Sequence, residues 1–196
     1  TGCPKLSGMG VRNFRNNQGE SDDIIDIGVG SGAFLKEIKT FGSISGIDTS
    51  ENAIKICNNV FNGMFKVSEA NSLPFENDCF DVIISFSVFH YFPSLDYAEN
   101  VVKEMIRVLR NNGSILIADI NDSEKKEEYY SIRTSENINQ NHKVKNISPA
   151  HMFYHKSFFE NIALSMGLNI NIVDNVDLDI PFYTQSNYRY SAIMKL

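Results

Sequence analysis

The feature that most constrains the fold of this chain is a glycine-rich turn between a predicted strand and a predicted helix. The run Ile24–Ile27 is short and rich in β-branched side chains, and Gly28, Gly30 and Gly32 follow it at alternate positions. Apolar residues at helical spacing begin at Phe34. Glycine allows a positive φ and lets the backbone approach a ligand without an intervening Cβ. A glycine-rich turn of this kind either binds a ligand or has a purely structural role. Its position between a strand and a helix favours the ligand-binding interpretation.

Strand and helix patterns alternate five times along the chain, and a helix followed by two strands closes it. The nearly all-apolar run Phe80–Phe86 is typical of a strand buried on both faces of a parallel sheet. The alternation predicts an α/β fold, a doubly wound and mostly parallel Rossmann-like sheet with helices on both faces. We expect a single domain over residues 1–196. Residues 121–156 are predicted as an insertion on the substrate side, because most of that segment is charged, asparagine-rich and without apolar rhythm.

Composition limits the partners and the compartment of the protein. The formal net charge is −6 and no basic cluster is evident, which disfavours a nucleic-acid partner. No apolar run approaches the ~20 residues that span a bilayer, so we expect no membrane span. The three cysteines form neither a zinc-ligand pattern nor a disulfide framework. We therefore expect no metal site and a cytoplasmic location.

An acidic residue ends the second predicted strand. Asp48 ends this strand and lies 20 residues after Gly28. An acid here is placed to accept hydrogen bonds from two ribose hydroxyls of an adenosine-containing ligand. Alternatively, it caps the helix that follows through backbone amides. Its pairing with the glycine turn favours ligand contact.

Four segments in this order carry a family resemblance: Asp26–Gly32, Gly46–Ser50, Glu69–Phe75 with its continuation Phe80–Ser85, and Glu104–Gly113. With them the chain resembles class I S-adenosylmethionine-dependent methyltransferases, particularly the small-molecule branch. The resemblance covers about residues 24–120, and the order and spacing of the segments are more specific than any one of them. It implies seven strands with an antiparallel last strand, and S-adenosyl-L-methionine as the cofactor.

The resemblance also implies roles for individual residues. Asp26 would orient the amino group of the cofactor, and the glycines would let the backbone meet its methionine end. Asp48 would hold the ribose. The residues predicted to bind the cofactor are Asp26, Gly28, Gly30, Gly32, Asp48, Thr49, Glu69, Ala70, Ser85 and Phe86. Among them, Thr49, Glu69 and Ala70 would lie near the adenine, and Ser85 and Phe86 near the sulfonium.

Methyl transfer is an in-line displacement that needs alignment of nucleophile, methyl group and sulfur, and no metal. A hydroxyl nucleophile also needs a base. His90 follows the fourth strand and is either that catalytic base or a structural histidine. Four tyrosines are predicted to border the substrate: Tyr91, Tyr129, Tyr130 and Tyr154.

The predicted function is methyl transfer from S-adenosylmethionine to a small-molecule acceptor, at oxygen. One alternative is a NAD-dependent oxidoreductase, because Gly28, Gly30 and Ala33 also satisfy a dinucleotide-binding fingerprint. A further alternative is a non-catalytic subunit that binds S-adenosylmethionine. The sequence leaves the acceptor and the oligomeric state open.

Overall fold

Seven strands form one sheet in a computed structural model that describes residues 22–38, 43–131, 151–178 and 183–196. The strands are β1 (Ile24–Ile27), β2 (Ile44–Asp48), β3 (Gly63–Val67), β4 (Phe80–Phe86), β5 (Leu109–Asn121), β6 (Asn169–Asp174) and β7 (Arg189–Lys195). Their order across the sheet is β3-β2-β1-β4-β5-β7-β6. The pairings from β3 to β5 are parallel, and β7 runs antiparallel to both of its neighbours. The predicted fold class is confirmed.

Helices flank the sheet, among them α1 (Leu35–Ile38), α2 (Glu51–Val60), α3 (Leu95–Val108) and α4 (Lys156–Met166). Side-chain caps start three of these four. Ser50 accepts a hydrogen bond from the amide of Ala53, and Ser94 accepts one from that of Tyr97. Because Ser157 followed by Glu160 resembles a capping box, the sequence predicts a helix start at Ser157. The cap is instead His155, whose Nδ1 accepts from the Ser157 amide at 3.2 Å.

The core lies in two layers, because alternate residues of each buried strand point to opposite faces of the sheet. Ile25, Ile83 and Ile115 pack with α3 and α4 on one face. Ile24 and Ile84, one position along their strands, pack with α1 and α2 on the other. This burial on both faces explains why β4 reads as a continuous apolar run.

The strand order reverses between β1 and β4, since connections lead outward from this pair in opposite directions. Ligands of doubly wound sheets bind beyond the carboxyl ends of the strands at such a switch point. In the part of the chain that is described, no helix has the length and apolarity to cross a bilayer. Predictions for residues 1–21 and 132–150 lie outside the described residues.

Candidate active site

A cleft of about 790 Å³ opens at the carboxyl ends of β1, β2 and β4. Its volume lies within the range of pockets that enclose a small ligand. Seven of the predicted cofactor-binding residues line it: Gly28, Gly30, Asp48, Thr49, Glu69, Ala70 and Phe86. Tyr91, predicted to contact substrate, also lines it. The structure thus brings together residues from four separate segments of the sequence.

The three glycines of the first turn all have positive φ, but they face different surroundings. A Cβ at Gly28 (φ +80°) would lie 2.5 Å from Cγ2 of Val88. A Cβ at Gly32 (φ +77°) would lie 2.4 Å from the ring of Phe61. A Cβ at Gly30 (φ +53°) would have no atom within 4 Å. Gly32 is buried against α2 and does not line the cleft, so packing explains why this position is a glycine.

We expect Gly28→Ala to destabilise the fold more than Gly30→Ala does. Both variants carry the cost of a left-handed conformation, about 1–2 kcal/mol. Gly28→Ala adds a clash with a stiff β-branched side chain, about 1–3 kcal/mol more. Urea denaturation of both variants measures the difference. Equal losses of stability would contradict the close contact between Gly28 and Val88.

Asp48 fixes the glycine turn relative to the second strand. Its Oδ2 accepts from the Gly30 amide and its Oδ1 from the Ser50 amide, both at 2.8 Å. A carboxylate offers about four acceptor positions, so two remain for a ligand at the cleft wall. The carboxylate thus fixes the start of α2, as one interpretation predicts, and it keeps acceptor positions at the cleft for the predicted ligand contact.

Glu69 is held by a residue that the sequence interpretation did not identify. The hydroxyl of Tyr97 donates to Oε2 of Glu69 at 2.7 Å, and both side chains line the cleft. The pKa of Tyr97 is raised to about 12, mainly by partial burial and to a smaller extent by this hydrogen bond. Tyr97 therefore acts as a hydrogen-bond donor to Glu69. It lies on an amphipathic helix, where a tyrosine carries no signal that distinguishes a cleft residue from a packed one.

Phe86 forms part of the cleft wall at the end of β4. Its ring stacks on that of Phe34 with centroids 5.4 Å apart and planes 4° from parallel. The next residue, Ser87, has φ +61°, which is uncommon for a non-glycine residue and often marks a functional turn. This bend turns the chain away from the sheet, so that Ser87 and Val88 also line the cleft.

Asp26 lies beneath the cleft rather than on its wall. It is 2% exposed, and its Oδ1 has no hydrogen-bond partner among the described residues. Burial, with a smaller contribution from the charge of Asp48, raises the pKa of Asp26 to about 7. A buried polar atom of this kind is rare in folded proteins and often indicates a functional site.

Four other residues that were predicted at the site do not line the cleft. Ser85 is fully buried and its hydroxyl donates to the carbonyl of Ile27 at 3.2 Å, so it ties β4 to β1. Tyr154 is also fully buried and donates to the carbonyl of Phe89 at 2.7 Å. Tyr129 is 3% exposed. Tyr130 is half exposed but does not line the cleft.

His90 lies one layer behind the cleft wall. It is 2% exposed, and its ring packs against Tyr91 at 4.1 Å and His151 at 4.8 Å between centroids. The loop position after β4 was predicted correctly, but the side chain points inward. This placement fits a histidine that supports Tyr91 better than one that contacts an acceptor directly.

The residues of the cleft fit an adenosyl amino-acid cofactor. The Asp48 carboxylate has acceptor capacity for ribose hydroxyls, and Gly30 leaves open space where a side chain would stand. Asp26 offers an unpaired buried oxygen below the turn. Within the described residues, no group of His, Cys, Asp and Glu side chains is arranged to hold a metal ion.

Comparisons with known proteins agree with this fit. Residues 25–117, just under half of the chain, match the profile of a family described as "Methyltransferase domain". A tRNA (carboxymethyluridine(34)-5-O)-methyltransferase from Xenopus tropicalis is 36% identical over 94 residues, which are 48% of this chain and 15% of that protein. A sterol 4-C-methyltransferase from Caenorhabditis elegans is 31% identical over 126 residues, covering 58% of this chain and 37% of the relative. The chain thus spans well under half the length of these two curated relatives.

A solved structure of an S-adenosylmethionine-dependent methyltransferase from Mesorhizobium loti shares the fold. It aligns with a TM-score of 0.68 over 95% of this chain and 96% of that one, at 13% sequence identity. The segment matched by the family profile extends from β1 into β5 and contains every residue that lines the cleft. Residues 25–117 therefore resemble a methyltransferase domain in their sequence profile, and the whole described sheet shares the fold of a solved S-adenosylmethionine-dependent methyltransferase.

Proposed function

We propose that this chain transfers a methyl group from S-adenosylmethionine to the oxygen of a small-molecule acceptor. The observation that carries the proposal is the arrangement of Gly30, Asp48 and Glu69 around one cleft at the switch point of the sheet. The matched methyltransferase profile favours methyl transfer over hydride transfer to a nicotinamide. It also favours an enzyme over a subunit that only binds the cofactor.

The bound cofactor supplies a sulfonium methyl group that is open to in-line attack. The task of the chain is to fix the two reactants, and alignment of this kind is worth ~7–11 kcal/mol. Asp48 accepts hydrogen bonds at the cleft wall while Gly30 and Ser50 hold its carboxylate in place. Phe86, oriented by its stack on Phe34, excludes water and presents an aromatic surface to a cation.

Apolar and aromatic side chains support a small apolar or aromatic acceptor. Tyr91 is 64% exposed at the cleft, and Val88, Phe92 and Pro93 lie beside it. The net charge of −6 is unfavourable for the binding of a polyanionic acceptor such as a nucleic acid. His151 contacts Tyr91 at 5.2 Å between ring centroids, which supports residues 121–156 as a substrate-side insertion in a single domain.

A second candidate function is methylation of tRNA. It is favoured by the relative from Xenopus tropicalis, whose name specifies a modified uridine of tRNA. The two candidates differ in the acceptor only, and they use the same cofactor cleft.

Free thiols at Cys57 and Cys79 agree with the proposed cytoplasmic location.

Calorimetry followed by a transfer assay tests the proposal. We expect S-adenosylhomocysteine to bind and NAD to give no heat. Radiolabelled methyl groups from S-adenosylmethionine are then offered to a solvent extract of small phenols and lipids, and separately to total tRNA. Label in the extract supports the small-molecule acceptor, whereas label in tRNA alone assigns the second function. A wild-type protein that does not bind S-adenosylhomocysteine would overturn both.

A further inference from the structure

One face of α3 is hydrogen-bonded to the segment 69–77, which follows β3 and begins at the cleft. Tyr97, Glu104 and Arg107 are spaced by seven and three residues, so they project from the same side of the helix. Tyr97 bonds Glu69, as described above. Glu104 accepts from the amide of Leu73 through Oε2 at 2.8 Å.

Arg107 makes a denser set of contacts with the same segment. Its guanidinium pairs in a bidentate manner with Glu104, through Nε at 2.7 Å and Nη2 at 2.8 Å. It also donates to the carbonyl of Phe75 at 2.9 Å and to the carbonyl of Leu73 at 3.1 Å. A further bond reaches Oδ1 of Asn77 at 3.0 Å. The hydrogen bond from Arg107 holds the pKa of Glu104 below its ordinary value, so the pair is ionic at neutral pH.

These bonds matter because the segment has little backbone support of its own. Pro74 has no amide hydrogen and therefore cannot donate a hydrogen bond to a strand ladder. Leu73 is 5% exposed, and both of its backbone polar groups bond to the Glu104–Arg107 pair. A buried backbone amide or carbonyl without a partner is costly, so loss of the pair would move the segment.

The opposite side of the same segment forms part of the cleft wall. Glu69, Ala70 and Asn71 line the cleft, only two to four residues before Leu73. A shift at Leu73 therefore displaces the surface assigned to the nucleoside. Neither Glu104 nor Arg107 lines the cleft itself.

We propose that Glu104 and Arg107 are positioning residues for the nucleoside half of the cofactor and act through segment 69–77. The inference rests on the proposed function, because it takes the cleft to be the cofactor site. It assigns a role in ligand binding to an ion pair on the outer side of the loop, away from the ligand.

The chain offers a matched control at Arg110, three residues further along. Its guanidinium bonds Asp23 at 2.8 Å and Asp81 at 2.7 Å, and also the carbonyl of Asp78 at 3.2 Å. These partners lie at the amino ends of β1 and β4, at the opposite edge of the sheet from the cleft. Lysine at either position keeps the charge but cannot span the same set of acceptors.

The experiment compares wild type, Arg107→Lys, Glu104→Gln and Arg110→Lys. Calorimetry measures the Kd for S-adenosylhomocysteine and for methylthioadenosine, which lacks the amino-acid half. We expect Arg107→Lys and Glu104→Gln to weaken binding of both ligands by about tenfold, since small displacements of a binding surface have effects of this size or larger. We expect Arg110→Lys to change both Kd values by less than about twofold. Hydrogen exchange without ligand is expected to accelerate at the Leu73 amide in the first two variants only.

Two results would overturn the proposal while the proposed function stands. In one, wild type and Arg107→Lys bind S-adenosylhomocysteine equally well. In the other, Arg107→Lys and Arg110→Lys lose affinity to the same extent, which would indicate a general loss of stability. If wild type binds neither ligand, the proposed function and this inference both fall.

Discussion

Asp48→Asn is expected to weaken binding of S-adenosylhomocysteine by about a hundredfold or more. The substitution keeps the size of the side chain but removes its charge and replaces one acceptor oxygen by an amide donor. A hydrogen bond to a charged group contributes about 1.5–3 kcal/mol, and two ligand hydroxyls are expected to use this carboxylate. A tenfold change in affinity corresponds to about 1.4 kcal/mol, so the loss of both bonds gives this range. Calorimetry measures the Kd directly.

A nearby acid provides the control for charge and for the start of α2. Glu51 is three residues further along, in the first turn of that helix, and forms an exposed ion pair with Lys55 at 3.7 Å. Glu51→Gln changes the net charge by the same amount without altering the cleft wall. We expect its Kd to stay within about twofold of wild type, because exposed pairs contribute little. Comparable losses in both variants would show that Asp48 acts only through long-range charge.

The sequence sufficed to predict the parts of this molecule that local patterns determine. The turn from Gly28 to Gly32, the acid that ends β2 and the apolar run of β4 all follow from residues close together in the chain. The parallel order follows from the alternation of strands and helices. Element ends were less accurate. The pair Asn112–Gly113 is typical of a turn before a strand, but β5 runs through it from Leu109 to Asn121, with Asn112 at φ +66°.

Side-chain direction was the part that local patterns could not predict. Ser85 and Tyr154 occupy the expected segments, but both hydroxyls donate to buried carbonyls in other parts of the chain. The partner of Glu69 is Tyr97, 28 residues away. Such contacts depend on how helices are set against the sheet, which a single sequence does not specify. The cap of α4 was mistaken for a related reason, because His155 is an uncommon capping residue.

Asp26 is expected to affect the stability of the fold and, through its place beneath the turn, binding at the cleft. Its carboxyl has no ion-pair partner in the described part of the chain, and the charge that acts on it is the like charge of Asp48. The pKa of about 7 in the folded protein lies above the ordinary value of 3.8. The folded state therefore holds this proton more tightly than the unfolded state. By linkage, this carboxyl lowers the free energy of unfolding progressively as the pH rises from about 4 to about 7, and the full penalty remains above that range.

Asp26→Asn is expected to remove this penalty, so its benefit should grow as the pH rises from about 4 to about 7 and be largest above that range. A difference of about three pKa units corresponds to about 4 kcal/mol, which sets the upper limit of the gain at about pH 8. At about pH 4 the wild-type carboxyl is protonated in the folded protein, and the gain should vanish. An unpaired buried amide costs about 1–3 kcal/mol, but this offset applies equally at both pH values. Urea denaturation at the two pH values isolates the change with pH from the offset.

We also expect the variant to bind S-adenosylhomocysteine more weakly, because the unpaired oxygen beneath the turn is lost as an anionic acceptor. A stability difference between variant and wild type that stays constant with pH would contradict the raised pKa, and unchanged binding would separate Asp26 from the cofactor site.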